Sequence, residues 1–399
     1  MLTPFPEALA LLLRQTRPFP PERLPLPQTP GRLLATPIIA DRPHPPYHRV
    51  AMDGLALNHA AYAAGQRRFP IRNLQAAGEA PQPLTDPTQC VEIMTGAALP
   101  EGATAVVRYE DLERVGEAFL VPEGVKEGQN IHALGKDSPA GATLAEAGRI
   151  IGLAEMGMLA TCGYAEVEVT VKPKIAVVAT GNELVPVAAT PLPHQIRRSN
   201  LFQIETLLRS LPVTTTRHHL PDVRETLAEK LARVLEENDV VVLSGGVSKG
   251  KLDFVPEVLT RLGVEKLFHG VAQRPGKPLW VGRRGETLVF GLPGNPVSSV
   301  SCALQYVLPW LRASLGMPAP PQQFAALTQE VKFPPALTLF ELVQVTYSAT
   351  DGRMLATPTR HQGSGDATAL LRSTGFLTLP PERQALAAGE VFPYTSFPI

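Results

Sequence analysis

Apolar positions along this chain follow two regimes. Between residues 174 and 299, short unbroken apolar runs end in glycine-rich turns and alternate with segments of helical period. Ile175-Ala176-Val177-Val178-Ala179 runs into Thr180-Gly181-Asn182-Glu183. Val240-Val241-Val242-Leu243 runs into Ser244-Gly245-Gly246-Val247-Ser248, and Leu288-Val289-Phe290 into Gly291-Leu292-Pro293-Gly294-Asn295-Pro296. The pattern predicts strands near 175–180, 213–218, 240–244 and 266–271, with a β-pair near 278–282 and 287–291. Helices are predicted near 201–211, 222–236, 253–262 and 297–315. Such alternation builds a doubly wound, mainly parallel sheet with helices on both faces. In an open sheet of that kind, the strand ends line the ligand crevice. Backbone N–H groups at such turns and helix starts favour anions, so the expected ligand carries phosphate or another oxyanion.

Elsewhere the pattern changes. A short amphipathic helix is predicted near 4–16, with Leu9, Leu12 and Leu13 on one side, followed by a proline-rich extended stretch. From 47 to 131 the period is β-like, with frequent Gly, Pro and Asp punctuation. Ile151 to Cys162 predicts a helix ended by Gly163, and Val167 to Val171 an alternating strand. Pro318 to Pro321 reads as a linker. The tail from 324 is strand-rich, with an Asp351-Gly352 hairpin signal.

At 399 residues the chain is too long for one ordinary domain. A formal net charge of +0 argues against electrostatic nucleic-acid binding. Cys90, Cys162 and Cys302 stand far apart, which argues against a disulfide framework or a cysteine zinc site and for a reducing compartment. With no long apolar run, the expectation is a soluble, cytoplasmic protein and no membrane partner. The 41 prolines cluster within apolar surroundings, favouring rigid connectors over disorder. His218-His219 on a strand would point to opposite faces. No His-x₃-His or His-Glu-x-x-His spacing supports zinc catalysis, and no Gly-x-Ser-x-Gly elbow supports a hydrolase triad.

Further signatures stand in order along the chain: Ala51-Met52-Asp53-Gly54, Ile93-Met94-Thr95-Gly96-Ala97, Gly135-Lys136-Asp137 and Arg274-Pro275-Gly276-Lys277-Pro278. Together with the three turns, they resemble the MoeA family of molybdopterin molybdenumtransferases, which includes the E domain of gephyrin. The resemblance runs from near residue 5 to the C-terminus. It implies a discontinuous first domain (1–45 with 132–170), a β-rich second domain (46–131), an α/β, MogA-like third domain (171–317) and a β-barrel-like fourth domain (318–399). It further implies a homodimer whose site is shared across subunits. The implied substrates are molybdopterin adenylate and molybdate, with Mg2+ required and AMP released. The molybdopterin adenylyltransferase and molybdoenzyme chaperones are the implied further partners.

Magnesium prefers carboxylate oxygens and water, and the candidate carboxylates are Glu183, Asp253, Asp222, Asp53 and Asp137. Glu183 is either a helix-entry residue or a ligand contact. Asp253 and Asp222 each suit a helix N-terminus as well as a site. The resemblance favours site roles for all five, with Glu183 and Asp253 on the metal. Asp53 and Asp137 match positions facing the partner's third domain. Thr95 is a turn cap or, by resemblance, a site residue. Ser248 and Ser298 are caps or anion contacts. Arg274 and Lys277 flank a rigid turn, as a solvated loop or an oxyanion contact. The resemblance assigns substrate binding to Thr180, Gly181, Ser244, Gly245, Gly246, Ser248, Arg274, Lys277, Pro278, Pro293, Gly294, Asn295, Pro296, Ser298 and Ser364.

Four positions depart from the family's usual pattern. Arg274 stands for a lysine, Lys136 for an acidic residue, and Lys249 for a small apolar one. Gln344 is aligned with an arginine of the oxyanion pocket. Two other readings remain open: a molybdopterin adenylyltransferase, which shares Thr180-Gly181 and Ser244-Gly245-Gly246, and a non-catalytic carrier or scaffold, favoured by Arg274 and Gln344.

Overall fold

The computed structural model describes residues 2–247 and 254–398. Ser248, Lys249 and Asp253 therefore lie outside the described residues. Its centre is a six-stranded sheet in the order Thr214–Leu220, Lys174–Thr180, Val240–Ser244, Thr287–Leu292, Trp280–Arg284 and Glu265–His269. The first four strands are parallel, and the last two join antiparallel. Consecutive residues serve opposite faces, as the pleat demands. Ile175, Val177 and Ala179 enter one core with Ile204, Leu208 and Leu311. Ala176 and Val178 enter the other with Leu227, Leu231 and Leu259. The chain leaves Lys174–Thr180 to one side, then returns to place Val240–Ser244 on the other. The carboxyl ends of these two strands are therefore the switch point where such sheets take ligands.

Predicted helices appear as Ser199–Leu208, Arg224–Glu237 and Val255–Arg261. The segment predicted as one helix over 297–315 is three: Pro296–Cys302, a π-helical turn Ala303–Val307, and Leu308–Ser314. Helix Phe5–Leu13 packs on the α/β core through Ala8 and Leu12, in a cluster that also takes Phe19 and Leu33 from the segment that follows it.

That following segment pairs with sequence far downstream. Pro21–Pro25 joins Glu166–Thr170, and Ile38–Ile39 joins Thr143–Ala145. Between these lies a second six-stranded sheet, in which Gly54–Leu57 is flanked by Cys90–Ile93 and Ala105–Arg108. The tail closes into a β-barrel: Thr338–Tyr347, Met354–Pro358, Gln323–Leu327, Val391–Ser396 and Gly375–Leu379 follow one another, and the last pairs back with the first. The Asp351-Gly352 signal falls in the connection between Tyr347 and Met354, which are register partners. Gln273–Arg274 leaves the α/β region and adds in parallel to Thr338–Leu339 of the barrel. Among the described residues, no helix is long and apolar enough to cross a membrane.

Gly54 illustrates how tightly the second sheet is built. A Cβ there would lie 1.9 Å from the Val107 carbonyl oxygen. Gly54→Ala is expected to destabilise the protein by about 2–3 kcal/mol through forced strand separation. Urea unfolding of the two proteins checks this; an unchanged midpoint would contradict it.

Candidate functional site

The three glycine-rich turns meet at the switch point. Gly245 N–H donates to Leu292 O at 3.0 Å, tying the second turn to the third. Asn200, at the start of Ser199–Leu208, donates through Nδ2 to Ser244 Oγ at 2.9 Å and to Gly294 O at 2.7 Å. Ser244 Oγ lies 3.2 Å from Ser299 Oγ. Gly246 has φ 68°, and a Cβ there would stand 2.6 Å from Val255 Cγ2 and 2.8 Å from Thr180 Oγ1. Only glycine lets the backbone come that close. Thr180 Oγ1 is itself buried with no hydrogen-bond partner among the described residues. A buried hydroxyl left unpaired is costly, so its position suits a ligand oxygen.

Glu183 is exposed, and its carboxylate folds back over the Gly181 turn. Asn182 Oδ1 accepts the Asp222 N–H at 3.1 Å, and the Gly181 carbonyl lies 2.9 Å from His219 Nε2. The first turn is thus bound to the end of Thr214–Leu220, and Asp222 comes to its rim. Asp222 does not begin the helix as expected: the helix starts at Arg224 with Val223 as its N-cap. Ser298 lies in the first turn of Pro296–Cys302, where Asn295 takes the N-cap position. Asn295 Nδ2 does not serve the helix; it donates to Ser364 Oγ at 2.9 Å, bridging the third turn to the barrel.

Beside this rim, a cavity of about 540 Å³ opens between the α/β region and the barrel. Of the expected residues it takes Arg274, Lys277, Pro278, Pro293, Asn295, Ser298 and Ser364. Lys332, Glu341 and His361 also line it and were not predicted. Arg274 stacks on Phe333, its guanidinium carbon 5.6 Å from the ring centroid. Burial pushes the Glu341 carboxyl up to about 7, against the opposing pull of Arg274. The cavity therefore carries three fixed cationic side chains and one acid that holds its proton close to neutrality, a lining suited to an oxyanion.

Gln344 corrects the sequence reading. It is exposed, opposite Thr357, and does not line the cavity. The strand contributes Glu341 instead, three residues or about 10 Å earlier. Counting along a barrel strand cannot fix where the strand meets its neighbour.

Asp53, Thr95 and Asp137 form a second group, at the β-rich sheet and at the loop after the neighbouring Ile131–His132 strand. Thr95 N–H donates to Asp53 Oδ1 at 2.6 Å. The Thr95 N–H and then its hydroxyl hold the Asp53 carboxyl below the usual range. Asp137 Oδ1 lies 2.8 Å from His132 Nε2. Arg49–Val50 connects these pairs: it pairs with Ile131–His132, and Val50 O accepts from Gly96 N–H. Hydrogen bonds already hold both aspartates, where the sequence offered no partner for either.

Known proteins match along nearly the whole chain. The model of the MoeA N-terminal region (domain I and II) matches residues 3–163. That of the "probable molybdopterin binding domain" matches 176–313, and that of the MoeA C-terminal region (domain IV) matches 325–397. A Synechocystis protein named molybdopterin molybdenumtransferase is 37% identical, covering 91% of this chain and 92% of its own. A Bacillus subtilis protein of the same name is 32% identical, covering 90% and 85%. Two structures of the molybdopterin biosynthesis MoeA protein of Pyrococcus horikoshii superpose with TM-scores of 0.86 and 0.84. They are 29% and 27% identical and cover 100% of both chains.

The Glu341 acid gives a pH prediction. Its folded value of about 7 lies above the ordinary 4.5. The folded protein therefore holds a proton that the unfolded chain releases above 4.5. Stabilisation from this group is full below about 4.5 and is lost as pH rises through about 7. Thermal midpoints of wild type and Glu341→Gln, measured across that window, should diverge with rising pH as only the wild type loses this contribution. A pH-independent difference would contradict it.

Proposed function

This chain belongs to the MoeA family, and from that premise we propose that it is a molybdopterin molybdenumtransferase. It inserts molybdate into the dithiolene of adenylylated molybdopterin and releases AMP. The observation that carries this is the match to named transferases across nine-tenths of the chain, flanking regions included. Those flanking regions distinguish it from an adenylyltransferase built on the α/β region alone.

In this reading, the switch-point turns hold the phosphate end of the substrate. Thr180, Ser244 and the close-packed Gly245 and Gly246 offer hydroxyls and accessible backbone. The neighbouring cavity takes the molybdate end. Arg274 and Lys277 supply positive charge and directed donors. Ser298 and Ser364 add neutral donors, with Asn295 linking the two halves. Glu341, whose carboxyl is pushed up to about 7, only partly compensates Arg274 near neutrality.

The first turn suits Mg2+, which is satisfied by one or two carboxylates completed by substrate phosphates. Glu183 would hold it, with Asp253 as second carboxylate and Asp222 at the rim. When bound, the ion neutralises charge on the phosphates. Asp53, Thr95 and Asp137 act from the β-rich sheet of the partner subunit in a homodimer. None of the three lines the cavity, which fits a site completed across subunits.

The test is to supply molybdopterin adenylate, molybdate and magnesium, then follow AMP release and metal incorporation together. Binding without turnover would indicate a carrier, and ATP consumption with free molybdopterin an adenylyltransferase. Asp53→Asn and Glu183→Gln should each lower turnover about 10²–10³-fold while the protein stays folded. Near-wild-type turnover in both would remove these residues from the site. Mixed after subunit exchange, the two inactive variants should recover activity, because one of two sites is then intact; no recovery would refute the shared site. Arg274→Ala should raise the half-saturating molybdate concentration about ten- to hundredfold. Gln344→Arg should leave it unchanged.

A further inference from the structure

Three metal-ligating side chains converge outside the turns and the cavity lining. Asp41, His44 and Cys162 each bring one ligand atom, and these atoms all lie within 4.8 Å of one another. His44 Nε2 is 3.7 Å from Cys162 Sγ. We propose that these residues form a zinc site joining the two sequence-distant parts of the discontinuous region.

The backbone around the three is fixed without the ion. Ala40 N–H donates to Ala142 O at 2.9 Å, and His44 N–H to Ser138 O at 2.8 Å. Cys162 follows helix Leu153–Thr161 as its C-cap, and its N–H donates to Met158 O at 2.9 Å. Its thiol is buried in a core with Leu34, Ile38 and Leu159. In tetrahedral zinc coordination, bonds of about 2.0–2.3 Å put ligand atoms roughly 3.3–3.7 Å apart. The sulfur and nitrogen already stand at that separation. The Asp41 carboxylate is exposed, so rotation of its side chain can close the rest. Arg42 Nε forms only a long ion pair with Asp41 Oδ2, at 4.0 Å and beyond hydrogen-bond reach, which the turn of the carboxylate would loosen.

The donor set selects the metal. One thiolate, one imidazole and one carboxylate suit zinc, whereas Mg2+ and Ca2+ require oxygen alone. Binding replaces the thiol proton: Cys–SH and Zn2+ give a zinc thiolate and one released H+. Water on the Asp41 side completes four-coordination. Three protein ligands with a water are the open zinc arrangement; the ion's proposed effect here is to brace the fold. It would cross-link the segment after Ile38–Ile39 to the end of the helix. It would also brace the 135–138 loop, whose Asp137 and Ser138 N–H groups donate to His44 O.

The test uses the reduced full-length chain, stripped of metal and titrated with Zn2+ against a chromophoric chelator. One zinc per chain is expected, with proton release. Co2+ in its place should give intense tetrahedral bands and a thiolate-to-cobalt charge-transfer band. Cys162→Ser should abolish that band, and Cys162→Ser and His44→Gln should each weaken zinc about a hundredfold or more. If Cys162→Ser does not fold, Asp41→Asn, at an exposed position, should still weaken zinc at least about tenfold. The proposal is overturned if the wild type takes up no zinc at micromolar concentration. It is equally overturned if the cobalt spectrum lacks the thiolate band, or if the foldable variants bind like wild type.

Discussion

Burial of strand Lys174–Thr180 on both faces is the constraint on which the α/β region depends. Its residues alternate between two separate cores, so neither layer of helices can shift without exposing half of the strand. A one-residue slip would exchange the two sets of side chains. The fixed register delivers Thr180 to the end of the strand beside Ser244, and the glycines that follow let the turns close over each other. The candidate site is thus a by-product of packing: the strands are positioned by their cores, and chemistry is placed where the strands stop.

The second half of the site arises differently. Gln273–Arg274 is only two residues long, yet it lends an edge of the α/β region to the barrel. Asn295 makes a second tie, to Ser364. Between these ties lies the cavity. Its cationic lining comes from both bodies, with Arg274 and Lys277 from one and Lys332 from the other.

Legibility in the sequence followed the range of the interactions involved. The strands and turns of the α/β region were readable because unbroken apolar runs and glycines act within a few residues of one another. Arg274 and Lys277 were readable because a rigid proline turn holds them. Lys332, Glu341 and His361 were not, since only barrel closure brings them together and no spacing announces it. Gln344 failed for the same reason: its strand was foreseen, but not its register against the cavity. Asn200 carried one weak local signal, its place at a helix start, and its role as a bridge depends on two turns far along the chain. Asp41, His44 and Cys162 escaped because no metal motif has such spacing. The π-helical turn within the predicted 297–315 helix had no signature that period alone could supply.

The seating of helix Phe5–Leu13 has a consequence for the order of assembly during synthesis. This helix is synthesised long before its partners, which lie near Val271 and Trp310. Trp310 Nε1–H donates to Gln15 O at 3.0 Å, across 295 residues of chain. At about 5–20 residues per second, the ribosome needs roughly 15–60 s to produce that partner. Throughout this interval the apolar stripe of Ala8 and Leu12 lacks the Trp310 part of its native surface. An element made early thus waits for a late docking surface, so this helix is a natural point of contact for chaperones while the chain is still being made.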